Sequence, residues 1–151
     1  MANQEHLTRI KEATRSEWND WRLQNPGLDP DLFEADLGDM DLSGFDLHAT
    51  NLKNATLDRA NLRTAILVSA NLSHASLVEA NLESVSAYFV NAVGADLTGA
   101  NLQNTDFTQA NLSGGAYEGA VLKGTILLNA NVENTKLTEL SSQDQSPFGR
   151  A

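Results

Sequence analysis

Three histidines are the residues best suited to proton transfer or metal binding: His6, His48 and His74. A shared metal ion or a proton relay needs two such side chains close together. The repeat described below leaves His6 outside it and places His48 and His74 on different sides, so we expect no two to act together. The chain contains no cysteine, which excludes a thiolate nucleophile, a sulfur metal site and a disulfide framework.

A glycine-rich segment at residues 114–119 reads GGAYEG and lacks the spacing and helix context of a phosphate-binding loop. Serine and aspartate are frequent because a repeat supplies them, and no GGxGxD calcium repeat is present. These observations favour a chain that is not an enzyme and has no catalytic residue, metal site or cofactor.

The composition favours one domain. The chain has 151 residues, of which 41% are apolar, enough to fill a core. It has no run of about 18 apolar residues, and residues 1–11 lack the apolar stretch of a secretory signal, so we expect a cytoplasmic protein without membrane association. The formal net charge of -10 argues against direct nucleic-acid binding, and residues 29–46 carry seven acidic residues and no basic one.

A five-residue repeat organises the chain. From Leu32 to Leu137 an apolar residue, most often leucine, recurs every five positions through 22 units, and a small residue usually stands two positions earlier. This period fits neither the 3.6-residue stripe of an α-helix nor the alternation of a strand. In an extended stretch the two residues point the same way, and the remaining residues can turn a corner. Each pentad therefore forms one side of a stacked polygonal coil.

The residue before each leucine indicates four sides per coil. From Leu52 onward asparagine fills this position in eight of nine alternate units and in none of the units between them. One column of these asparagines consists of Asn51, Asn71, Asn91, Asn111 and Asn131. A ten-residue super-period places like residues above one another if a coil has four sides, but not if it has three. Asparagine suits such columns because its amide can bond turn backbone and the amides of neighbouring coils.

The pattern A-(N/D)-L-x-x, undiluted at 60–62, 70–72, 80–82 and 100–102, resembles the pentapeptide-repeat family over about 110 residues. The resemblance implies an all-β fold, a right-handed quadrilateral parallel β-helix. We expect a short N-terminal capping helix within residues 1–29, the β-helix over 30–140 in about 5.5 coils, and a disordered tail at 141–151. The predicted core centres include Leu52, Leu62, Leu72, Leu82, Leu102, Phe107 and Leu112.

Open ends of a solenoid need covering. Leu7, Ile10, Thr14, Trp18 and Trp21 fall on one face of a helix spanning 3–24, and the Asn-Pro-Gly at 25–27 ends it. The tryptophan pair favours cap packing over a ligand site. The C-terminal end shows no such helix, which leaves a homodimer through that end as one hypothesis.

The centres Ala87 and Ala92 interrupt the leucines and flank Tyr88 and Phe89. Two alternatives remain open: a bulge that turns an aromatic ring inward, or a locally thin coil.

Two outward columns are candidate surfaces. Val68, Tyr88 and Leu128 stand in one column, interrupted by Thr108, and could contact a protein partner or a second copy. Scattered exposed apolar residues are the alternative explanation. An adjacent side carries an acidic column whose members are Asp39, Asp58, Glu79, Glu118 and Glu139.

Three functions follow as hypotheses. The leading one is a non-enzymatic scaffold or binding module for a protein partner whose identity the sequence does not give. The second is an acidic mimic of DNA acting on DNA gyrase, which the family resemblance and roughly one net charge per 2.6 Å of rod suggest, against one per ~1.7 Å in duplex DNA. The third is a small-ligand or catalytic protein.

Overall fold

The computed structural model describes residues 1–137. Glu139, the end of the repeat up to residue 140 and the predicted tail at 141–151 lie outside the described residues, as does any dimer contact through the C-terminal end.

Two helices precede the repeat: α1 spans Gln4–Glu12 and α2 spans Arg15–Gln24. The prediction of one continuous helix is therefore wrong. Thr14 is extended, with φ -67° and ψ 163°, and caps α2. Its hydroxyl accepts a hydrogen bond from the backbone N–H of Glu17, and the Glu17 carboxylate accepts one from the N–H of Thr14 at 2.7 Å. This reciprocal capping box favours a new helix start over continuation.

The repeat forms coils of twenty residues. Parallel bridges join each residue that precedes a centre to the residue twenty positions later, from Asp31 with Asn51 to Asn111 with Asn131. Four pentads therefore complete one coil. The pairing consists of isolated bridges, one residue per side, because a turn follows each bridge before a second residue can pair.

We number the four sides as faces 1 to 4 in chain order. Their centres, within the described residues, are Leu32, Leu52, Leu72, Ala92, Leu112 and Val132 on face 1; Leu37, Leu57, Leu77, Leu97, Tyr117 and Leu137 on face 2; Leu42, Leu62, Leu82, Leu102 and Leu122 on face 3; and Leu47, Leu67, Ala87, Phe107 and Leu127 on face 4.

Each corner is a tight turn. The N–H of Ala55 donates to the carbonyl of Leu52 at 3.0 Å, and the equivalent bond recurs at most corners. The residue two places after each centre has a positive φ at every fifth position from Glu34 to Asn134. Glycine and asparagine tolerate this left-handed region, whereas Phe89, at φ 58°, adopts it at a steric cost.

The inward side chains form one core. Every predicted core centre is at most 2% exposed: Leu52, Leu62, Leu72, Leu82, Leu102, Phe107 and Leu112. Backbone bonds connect the coils, as where Leu52 N–H donates to the Asn71 carbonyl at 2.8 Å. The leucine columns and the backbone ladders thus stack on the same twenty-residue repeat.

The coil stays in phase at Ala87 and Ala92, and the alternative of a bulge with an inward aromatic ring is wrong. The bridges from Ser86 to Asp106 and from Asn91 to Asn111 are intact, and both alanines are buried. Valine replaces the usual alanine two places before each of them, at positions 85 and 90, and both valines are 1% exposed. In these two pentads the larger inward side chain stands two places before the centre instead of at the centre, so the core is filled without a bulge.

The helices cover the first coil by bonding its edge. On face 1 the N–H of Asp31 donates to His6 Nδ1 at 3.0 Å, and the Asp31 carbonyl accepts from Asn3 N–H. On face 4 Asn19 Oδ1 accepts from the N–H of Asp46 at 2.8 Å, and Trp18 Nε1 donates to the Asp46 carbonyl at 2.8 Å. The cap thereby supplies partners that a preceding coil would otherwise provide.

The tryptophan pair packs under the first coil. Trp18 is fully buried, its ring centroid 5.0 Å from Trp21 and 6.2 Å from Phe45. Arg9 lies over the half-buried Trp21 ring at 4.8 Å.

Within residues 1–137, no helix is long and apolar enough to cross a membrane.

Candidate contact surface on face 4

Face 4 holds most of the exposed large apolar side chains of the repeat. Ile66, Tyr88, Phe89, Ile126 and Leu128 are 37% to 56% exposed. Among the described residues of the repeat, the other exposed large apolar side chain is that of Val121, on face 3. Tyr88, which belongs to the column predicted from the sequence, is exposed, and so is Phe89 beside it.

The outward residues of face 4 form five rungs. Each consists of the side chains just before and just after a centre, and these are Asp46 and His48 in rung 1, Ile66 and Val68 in rung 2, Ser86 and Tyr88 in rung 3, Asp106 and Thr108 in rung 4, and Ile126 and Leu128 in rung 5. Backbone bonds fix their register, as where Ser69 N–H donates to the Tyr88 carbonyl at 2.9 Å. Face 4 is therefore a rigid ladder with two apolar rungs.

A tyrosine and a carboxylate occupy the middle of the ladder. The Asp106 carboxylate interacts with the Tyr88 hydroxyl and, through its negative charge, raises the pKa of that hydroxyl. The Asp106 carboxylate also accepts from the N–H of Thr108 at 2.9 Å and from its hydroxyl at 2.6 Å. These contacts hold the central rungs polar and ordered between the apolar rungs.

The first rung belongs to the cap. Asp46 Oδ1 lies 2.6 Å from His48 Nδ1, and Arg22, 1% exposed, donates to the His48 carbonyl at 2.7 Å. Burial lowers the pKa of Arg22, opposed by the charges of Asp46 and Asp29. This cluster was not predicted from the sequence. Its contacts are explained by cap docking.

The acidic column presents less negative charge to solvent than the number of its acidic residues suggests. Arg59 donates to both carboxylate oxygens of Asp39, at 2.7 and 2.8 Å, and this contact lowers the pKa of Asp39. The carboxylate of Asp58 accepts from the N–H of Val78 at 3.1 Å and from the Ser76 hydroxyl. Glu79 and Glu118 are exposed on the same corner. The acidic column belongs to face 2, which lies opposite face 4, so the prediction that it is adjacent to the other candidate column is wrong.

The asparagine columns differ in their contacts. Asn51, Asn71, Asn91, Asn111 and Asn131 each accept from the backbone N–H two residues later. Of this column, Asn51 also donates across coils, to Asp31 at 3.0 Å. The amide-to-amide ladder lies on face 3, where Asn101 donates to Asn81 at 3.3 Å and Asn81 to Asn61 at 3.4 Å.

The remaining sequence candidates are separate. His6, in α1, accepts from the N–H of Asp31, His48 contacts Arg22 of α2, and His74 is exposed at another corner. Among residues 1–137 no group of three or more histidine, aspartate or glutamate side chains is placed to hold a metal ion. A concavity of about 720 Å³ lies along α1 and is lined by Gln4, Glu5, Thr8, Arg9, Glu12, Ala13 and Glu17. It opens widely to solvent and lies away from face 4.

The architecture and its repeat match a known family. A model described as pentapeptide repeats, in eight copies, matches residues 31–67, 65–104 and 75–114, which together span more than half of the chain. The chain belongs to the pentapeptide-repeat family, whose members are generally structural or binding proteins.

Solved structures of this family are similar. The pentapeptide-repeat protein Rfr23 from the cyanobacterium Cyanothece 51142 is 35% identical with a TM-score of 0.57, and the match covers 58% of this chain and 60% of Rfr23. This likeness indicates a right-handed β-helix solenoid. This chain thus spans about 60% of the length of that relative.

Two further structures are more distant. HetL from Nostoc sp. strain PCC 7120, involved in regulation of heterocyst differentiation, is 28% identical, with coverage of 69% and 58% and a TM-score of 0.42. QnrB1, a plasmid-mediated fluoroquinolone resistance protein, is 24% identical, with coverage of 63% and 59% and a TM-score of 0.31. The comparison with curated proteins found no match.

Proposed function

We propose that this protein is a non-enzymatic binding module that contacts a protein partner through face 4. The observation that carries the proposal is the grouping of exposed apolar side chains on one rigid face, with Phe89 56% and Leu128 50% exposed. Grouped apolar side chains on a polar rod are typical of a protein contact surface. The backbone register holds them in place before binding, which limits the ordering cost of association.

The test is affinity capture with a face-4 variant. The variant Ile66→Ser, Ile126→Ser, Leu128→Thr takes its new residues from the same columns, where Ser86 and Thr108 already stand. It should therefore fold, and should lose at least tenfold in recovery of any partner bound by the unaltered chain. The matched control, Val121→Asn, removes an exposed apolar residue from face 3 and should retain the partner. Equal recovery of the partner by both variants would show that face 4 is not the contact surface.

The DNA-mimic hypothesis stays a prediction and has less support. Asp39 is paired with Arg59, and Asp58 is committed to backbone and serine donors of its own rod. A partner that recognises phosphate-like negative charges would therefore contact mainly the carboxylates of Glu79 and Glu118 on this corner of the described repeat.

A further inference from the structure

The order of residues along face 4 is self-complementary. Apolar rung 2 is followed by polar rungs 3 and 4 and then by apolar rung 5, all on one uniform twenty-residue spacing. If a second copy is turned end over end about an axis along the strand direction, rung 2 meets rung 5 and rung 3 meets rung 4. Such a two-fold contact is isologous, since each pairing occurs twice.

We propose that the partner seated on face 4 is a second copy of this chain, packed face to face and antiparallel. The inference rests on the proposed function and names the occupant of that surface. Ile66 then faces Ile126 of the other copy, Val68 faces Leu128, and Ser86 faces Asp106. Each apolar rung is covered by an apolar rung, and neither is placed against a charge.

Charge also selects the antiparallel arrangement. Among the outward residues of rungs 2 to 5, Asp106 is the charged one. A parallel face-to-face pair would bring both Asp106 carboxylates into one rung, where like charges repel. The antiparallel pair places each carboxylate opposite the Ser86 hydroxyl of the other copy, which can donate to it. The patch is thus suited to a copy of itself in one orientation.

The area predicts a weak dimer. Rungs 2 to 5, about 4.8 Å apart, extend over only some 15 Å of rod, so the contact is well below the ~800 Å² that a stable interface buries on each partner. Each copy also carries a formal net charge of -10, so the rods repel at a distance. We expect a dissociation constant on the order of 100 µM. Association should strengthen with added salt, because salt screens the repulsion while the contact itself is mostly apolar.

Sedimentation equilibrium of the purified chain measures the dimer. The unaltered chain and Val121→Asn should dimerise equally, and more strongly at high than at low salt. The variant Ile66→Ser, Ile126→Ser, Leu128→Thr should weaken association at least tenfold, with a circular-dichroism spectrum that shows it folded. A chain that stays monomeric well above the expected dissociation constant overturns the inference, as does a dimer that the triple variant leaves intact.

Cysteine mixing tests the orientation, because the natural chain has no cysteine. Chains carrying Ser86→Cys and chains carrying Asp106→Cys are mixed and mildly oxidised. The antiparallel pair predicts mixed disulfides above their statistical share, and a statistical or smaller share contradicts it. If the chain is monomeric but capture of another protein is lost with the triple variant, the proposed function stands and this inference alone fails.

Discussion

At the residue scale, the core depends on how each pentad divides its inward volume. Tyr117 occupies a centre where the other described centres of face 2 are leucine, and burial raises the pKa of its hydroxyl strongly. Gly115, two places earlier, stands where alanine is usual. A Cβ there would lie 2.8 Å from the Tyr117 ring and 2.9 Å from the carbonyl oxygen of Ala95. The large centre and the missing side chain are therefore coupled.

The variant Gly115→Ala tests this coupling. The clash should lower the free energy of unfolding by about 1–3 kcal/mol in a urea titration. Adding Tyr117→Leu removes the contact with the ring but not the one with the Ala95 carbonyl, so it should recover part of the loss. Gly27→Ala is the control, since a Cβ there meets nothing within 4 Å. A single variant as stable as the unaltered chain would refute the coupling.

Leucine and alanine positions were predictable at this scale, but compensations were not. The period identified all inward positions, because every unit repeats the same geometry. The two small centres at Ala87 and Ala92 were left ambiguous, since the sequence shows that volume is missing without showing where it is replaced. The valines at 85 and 90 were the available signal.

At the element scale, the cap acts as a substitute for a coil. The Asn19 side chain makes two of the hydrogen bonds that a preceding coil would supply. Its Oδ1 accepts from Asp46 N–H at 2.8 Å, and its Nδ2 donates to the Gly44 carbonyl at 3.0 Å. The sequence predicted helical packing of the tryptophans but not this role. Asn19 looks like any polar helix residue until the first coil is placed against it.

Removing the Asn19 amide should loosen the cap. Asn19→Ala leaves the Asp46 N–H and the Gly44 carbonyl without these partners in a half-buried place, which should lower the free energy of unfolding by about 1–3 kcal/mol. The neighbouring Asp20 is exposed, so Asp20→Ala should change it by less than ~0.5 kcal/mol. Urea unfolding of the two variants decides, and equal stabilities would show that the amide is not needed at the edge.

The helix break shows a second limit at this scale. A face traced at 3.6-residue spacing runs through Thr14, and the apolar pattern alone supports one helix. The capping box of Thr14 and Glu17 was present in the sequence and outweighs that periodicity. Local hydrogen bonding, not the apolar stripe, sets this boundary.

At the scale of the whole molecule, four pentads per coil decide which residues share a surface. The alternating asparagines predicted that number, and with it the column containing Val68, Tyr88 and Leu128. Charge was less predictable, because pairing between coils needs the register of side chains twenty residues apart. Asp39 and Arg59 are such a pair, so the count of acidic residues overstated the outward charge.

Photo-crosslinking from matched positions tests most directly whether face 4 is the contact surface. A benzophenone amino acid replaces Tyr88 on face 4 or Val78 on face 2, which hold the same place in pentads of the same coil. A contact surface on face 4 predicts covalent adducts from position 88, to a second copy or to another protein, and few or none from position 78. Equal adducts from both positions, or none from position 88, would contradict it.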